Sequence, residues 1–191
     1  MRAGAVVALV AAFLAACDAE GPRGVLEGPP PRGGPPLVSA TAEVDGDAPL
    51  AVSVAGVEPS SPDSPAVLRL TFETTVEGGV VIDDVRWTFA ITQDPGLLAV
   101  AGAGCSPEFT AEDDVAFACT GEFRALEVHP DAPLVEEIRV HVPPEGFPVA
   151  DGVFPLVQPI AWSLLDPTSP DEPVAGGSSV LLTVEVMAPG V

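Results

Sequence analysis

The sequence predicts an all-β fold built as an antiparallel sandwich, and three observations lead there. Apolar and polar residues alternate through several short runs, the pattern of half-buried strands. Twenty-three Pro and nineteen Gly in 191 residues break those runs, which suits an architecture made of turns. Past residue 17, no stretch of a dozen residues keeps helical apolar spacing without an interrupting Pro or Gly.

Residues 1–17 read as an export signal rather than as part of the fold. Arg2 supplies the positive start, and Ala3–Ala16 is an unbroken small and apolar run of fourteen residues. A membrane-spanning helix needs roughly 20 such residues, so the run is too short to cross. It ends in Leu14-Ala15-Ala16-Cys17, which resembles the lipobox of bacterial lipoproteins. That resemblance implies a diacylglyceryl group on the Cys17 thiol, with Cys17 as the mature N-terminus. Each buried methylene contributes about 0.8 kcal/mol, one chain anchors marginally and two anchor stably. The expected address is therefore an exported, membrane-anchored lipoprotein on the periplasmic face or the cell surface. Asp18 resembles an inner-membrane retention signal of some Gram-negative bacteria, and the choice of membrane stays open.

Residues 18–36 read as a tether. Eleven of the sixteen residues from Gly21 to Pro36 are Gly or Pro, with few side chains to pack a core. A polyproline-like chain rises about 3.1 Å per residue, so the reach is on the order of 50 Å.

Residues 37–191 then carry the strands. Alternation is clearest in Ala66–Val76, where Leu68, Leu70, Phe72 and Val76 share a face opposite Val67, Arg69, Thr71, Glu73 and Thr75. Asp84–Ile91 groups Val85, Trp87, Phe89 and Ile91. Glu136–Val142 sets Ile138, Val140 and Val142 against Glu137, Arg139 and His141. Ser179–Met187 sets Val180, Leu182, Val184 and Val186 against Leu181, Thr183 and Glu185. Leu50–Val57, Leu97–Ala101, Val115–Thr120, Phe123–Val128 and Gln158–Leu165 complete the expected set. About 7–9 strands with frequent breakers read as an immunoglobulin-like antiparallel β-sandwich.

Cys105 and Cys119 remain after Cys17, fourteen positions apart in a chain expected to reach an oxidising space. A disulfide is the default there, with free thiols the alternative. With no CxxC spacing and no His nearby, they make a poor zinc site.

Charge excludes several classes of function. The chain carries 28 acidic residues against 7 basic ones, and all seven are scattered Arg. Nucleic acid and anionic lipid both call for clustered basic side chains, so neither is an expected partner. Loss of Arg2 with the signal leaves 6 Arg against 28 acids, a formal charge of −22.

The order of segments resembles the conserved-repeat domain of unknown function, number eleven in its series, found in bacterial and archaeal surface proteins. The stretches that carry the likeness are Ala66–Val76 with the turn Val76-Glu77-Gly78, Ile82–Ile91, and Asp94-Pro95-Gly96-Leu97-Leu98-Ala99-Val100. The Cys105 and Cys119 pair follows, then Leu134–Pro144 with Gly146, and Asp166-Pro167 before Ser178–Val186. The resemblance spans Leu50 to Met187, implies a structural or interaction role and carries over no catalytic residues.

Acidic clusters at Asp45-Gly46-Asp47, Asp83-Asp84, Glu112-Asp113-Asp114 and Asp171-Glu172 read as solvated turns. None has the spacing of a calcium-binding EF-hand loop. His129 and His141 read as surface side chains, and no G-x-S-x-G nucleophile elbow is present. Trp87 and Trp162 read as core packers. Pro143-Pro144 and Pro155 are expected to blunt sheet edges. No cofactor, metal or catalytic residue is assigned. The expected function is a non-catalytic structural or interaction (adhesion-like) module with an envelope protein or glycan partner. The alternative is a lipoprotein that captures a cation such as calcium, or a small glycan, through its acidic loops.

Overall fold

Among the described residues, buried and exposed positions alternate along most elements, and every element is a strand. The computed structural model describes residues 34–83, 85–93, 96–110, 114–120, 125–144, 149, 151–167, 171 and 174–187. The signal, Cys17 and tether residues 18–33 lie outside the described residues. The strands are β1 (Leu37–Asp45), β2 (Ala51–Ala55), β3 (Val57–Pro59), β4 (Ala66–Glu73), β5 (Val80–Asp83), β6 (Thr88–Gln93) and β7 (Gly96–Gly102). They continue with β8 (Cys105–Phe109), β9 (Val115–Cys119), β10 (Leu126–Val128), β11 (Leu134–His141), β12 (Gly152–Leu164) and β13 (Ala175–Met187).

Pairing is antiparallel throughout. A six-stranded sheet runs β10-β5-β12-β13-β1-β3, and a five-stranded sheet runs β2-β4-β11-β7-β6. One apolar core joins their inner faces. Ala66, Leu68, Leu70 and Phe72 of β4 and Ile138 and Val140 of β11 meet Val180, Leu182, Val184 and Val186 of β13. Apart from Ala66, these residues belong to the inward sets read from the alternation, and β4 ends at Glu73, before Val76. Fully burying each such side chain contributes about 1.5–3 kcal/mol, which is why the two sheets face each other.

Among the described residues there are thirteen strands, more than the seven to nine expected, and backbone geometry accounts for one of the extra strands. The expected strand Leu50–Val57 breaks at Gly56, whose φ of 122° favours glycine. The chain crosses there from the five-stranded sheet, where β2 pairs with β4, to the six-stranded sheet, where β3 pairs with β1. That single passage closes one flank of the sandwich. Asp84–Ile91 is strand only from Thr88 onward, and β1, β5 and β8 lie outside the expected strands.

Ser60 fastens the closed flank. It is fully buried, its hydroxyl donates to the Val140 carbonyl at 2.7 Å and accepts from the Ala66 N–H at 3.2 Å. Its own N–H donates to the Pro36 carbonyl at 2.9 Å. The last residue of the expected tether is therefore already docked on the body.

Candidate functional site

The ribbon β8–β9 holds the cysteines. Cys105 and Cys119 stand directly opposite each other in its register and are joined by a disulfide. The ribbon lies on the outer side of the five-stranded sheet, and β7 shows why. Its inner residues Leu98 and Val100 belong to the main core. Its outward residues Leu97 and Ala99 are buried as well, packed with Val115, Phe109 and Phe117 of the ribbon in a separate cluster. The segment between the cysteines is thus largely a strand pair with an apolar underside. Glu112 and Asp113 lie outside the described residues, while Asp114 accepts from the Val115 N–H at 2.8 Å.

The two histidines differ. His129 follows β10, half-exposed, with its Nε2 3.3 Å from Glu127 Oε2. His141 closes β11 on the outward face, as read from the sequence, but it is not a free surface side chain. It stands opposite Ala99, the residue that packs with the ribbon, and its Nε2 is buried with no partner among the described residues. Burial, and then the nearby Arg139 guanidinium, holds its imidazole below the ordinary value of 6.5. The unfolded chain therefore binds this proton at higher pH than the folded one, so stability falls as pH drops from 6.5 through the lowered value. Replacement by a neutral side chain, His141→Gln, is expected to flatten that part of the curve. Thermal midpoints of the two proteins between pH 7.5 and 5 check it.

Trp87 and Trp162 are 1% and 4% exposed, as core packers should be. Gly176 of β13 faces Trp162, where a Cβ would come within 2.7 Å of the ring. Neither indole N–H meets an acceptor among the described residues.

The acidic positions stay apart. Asp45, Asp47, Asp83 and Asp171 are exposed, and Asp84 and Glu172 lie outside the described residues. Among the described residues, no three His, Cys, Asp or Glu side chains gather as a metal site would require. Glu137 pairs across strands with Arg69 at 3.2 Å, an exposed contact worth little.

An open cleft of about 510 Å³ lies where the β1–β2 turn, the end of β4 and the β10–β11 turn meet, walled by Pro49, Leu50, Glu73, Thr75, His129 and Pro130. Thr74, buried beneath it, donates to the Pro49 carbonyl at 2.7 Å and accepts from the Val76 N–H at 3.2 Å. Apolar walls with one carboxylate and one imidazole can orient a small polar group. Its lining comes from three segments far apart in sequence, and no motif announces it.

Pro155 and Pro159 both lie within β12. The Leu164 N–H donates toward the β13 side, to Val174, and the Leu165 N–H toward the β5 side, to Gly79. Odd-numbered residues of β12 therefore direct their N–H positions away from β13. Beside Gly152–Ile160 that side has no paired strand among the described residues, since β5 pairs only with Ala161–Leu164. Both prolines remove donors from an open edge, the role expected for Pro155.

No protein-family model, curated protein or solved structure matches the chain.

Proposed function

We propose that this chain is an exported lipoprotein, anchored through Cys17, whose immunoglobulin-like sandwich serves as a non-catalytic structural or interaction module of the cell envelope. The observation that carries the reading is the Cys105–Cys119 disulfide, placed in direct register at the open end of a strand pair. Such bonds persist in oxidising compartments outside the cytoplasm. The order of the chain supports it too: an apolar run ending in Leu14-Ala15-Ala16-Cys17, a Pro/Gly segment, then a two-layered β body. The mature part is read as a relative of the conserved-repeat surface domain described above, on its segment order. The partner is an envelope protein or glycan.

Mass spectrometry of the protein purified from membranes is expected to find an acylated Cys17 terminus. Cys17→Ala is expected to abolish acyl labelling and move the protein to the soluble fraction. An unmodified Met1 terminus would overturn the anchor. Cross-linking in intact cells tests the module, and capture of no protein or glycan partner would count against it.

A further inference from the structure

We propose that β6 is an association edge, where a second copy of this chain pairs antiparallel and joins two five-stranded sheets into one. The reason lies in how the sheet edges are finished. On the other flank the edges are short, β2 of five residues and β3 of three, the chain turns from one to the other at Gly56, and β2 lies close to β1. On the six-stranded sheet, β10 has three residues and runs into His129-Pro130, and the open part of β12 carries Pro155 and Pro159. Edges treated in this way resist adding a strand. β6 has six residues, Thr-Phe-Ala-Ile-Thr-Gln, with neither proline nor charge.

Its free side can be assigned. The Gly102 N–H donates to the Trp87 carbonyl at 2.8 Å, and the β6–β7 register pairs Phe89 with Val100 and Ile91 with Leu98. Odd-numbered residues thus bond to β7, and Thr88, Ala90 and Thr92 direct both backbone groups outward. Among the described residues these groups meet no backbone partner.

The strand is also complementary to itself. A two-fold axis through Ala90 sets Ala90 against Ala90 of the second copy. Thr88 then meets Thr92 on the outer face, and Phe89 meets Ile91 on the inner. Threonine pairs and aromatic–β-branched pairs are favourable cross-strand neighbours, and no like charges face each other. Phe89, half-buried in one copy, would be covered in the pair. The formal charge of −21 opposes approach at long range. Screening shortens from about 10 Å at 0.1 M salt to about 3 Å at 1 M, so association strengthens with salt.

The test uses the full chain. Facing residues of a hydrogen-bonded pair have Cα atoms about 5.5 Å apart, within disulfide reach. Ala90→Cys is expected to give a disulfide-linked dimer on non-reducing gels. Thr41→Cys, exposed on the other sheet, is expected to give none. In sedimentation equilibrium, the dimer fraction is expected to rise between 0.05 and 0.5 M salt. Ala90→Pro removes only an outward donor and is expected to abolish the dimer while its circular dichroism is kept. Ala90→Lys serves the same purpose if the proline variant misfolds. A protein monomeric at every salt concentration, equal cross-linking at Thr41→Cys, or an Ala90→Cys adduct to a different protein would overturn the proposal. Acylation at Cys17 is read separately, so failure of the anchor and failure of the edge are distinguishable.

Discussion

Trp87→Ala is expected to lower stability by about 3–5 kcal/mol, the cost of deleting a fully buried aromatic side chain. Trp87 is 1% exposed, sits within 3.1 Å of where a Gly102 Cβ would be, and tilts against Phe89 at a centroid distance of 6.3 Å. It belongs to the core that the two sheets share, so truncation leaves a cavity within that core. Against a total of about 5–15 kcal/mol, such a loss leaves a marginal fold. Chemical denaturation should show a lower midpoint with an unchanged slope, and the thermal midpoint should drop on the order of 10 °C. Trp87→Phe is expected to cost clearly less. It keeps an aromatic ring beside Phe89 and discards an N–H that finds no acceptor among the described residues. A loss under about 1 kcal/mol for the alanine variant would refute the placement of this ring.

Removing the disulfide is expected to act more locally. Replacing Cys105 and Cys119 together by Ser releases a loop whose closure contributes about 3 kcal/mol in the chain-entropy model. What that loop secures is the ribbon, five paired positions and an apolar underside of Phe109, Val115 and Phe117 on Leu97 and Ala99. The two sheets share none of that cluster with their main core. Amide exchange should therefore rise first in β8 and β9, while β4, β11 and β13 keep their protection. Uniform loss of protection across the sheets would mean that the ribbon is part of the same cooperative unit as the core.

How far the sequence foretold this molecule depends on what each segment had to signal. β4, β11 and β13 bury one face and leave the other to solvent or half-covered, so their alternation was legible and the inward residues came out right. Of β12, the sequence reads as strand only from Gln158 onward, because Pro155 argues against one upstream. Pro155 and Pro159 are both tolerated since their missing donors belong to the unpaired side. β1 is not legible in the sequence, because Ser39, Ala40, Thr41 and Ala42 are too small and mixed to show a clear alternation. Its nine pairs with β13 come from tertiary context. Of the site, the Cys105–Cys119 pair is legible from its spacing and the expected compartment. The half-burial of His141 was not, because it depends on its place beside Ala99 and the ribbon's cluster, a long-range contact. The cleft and the open side of β6 belong to the same class, since both arise from the packing order of distant segments.

The pairing of Leu37 with Met187 has a mechanical consequence. Tension that enters at Leu37 and is resisted elsewhere on the body runs along β1. It loads the nine rungs to β13 together, in shear. Tension applied between Leu37 and Met187 themselves would instead unzip those rungs one at a time from that end. Forced rupture follows the unfolding rate along the loaded direction. The same body would therefore be tough when pulled one way and soft when pulled the other.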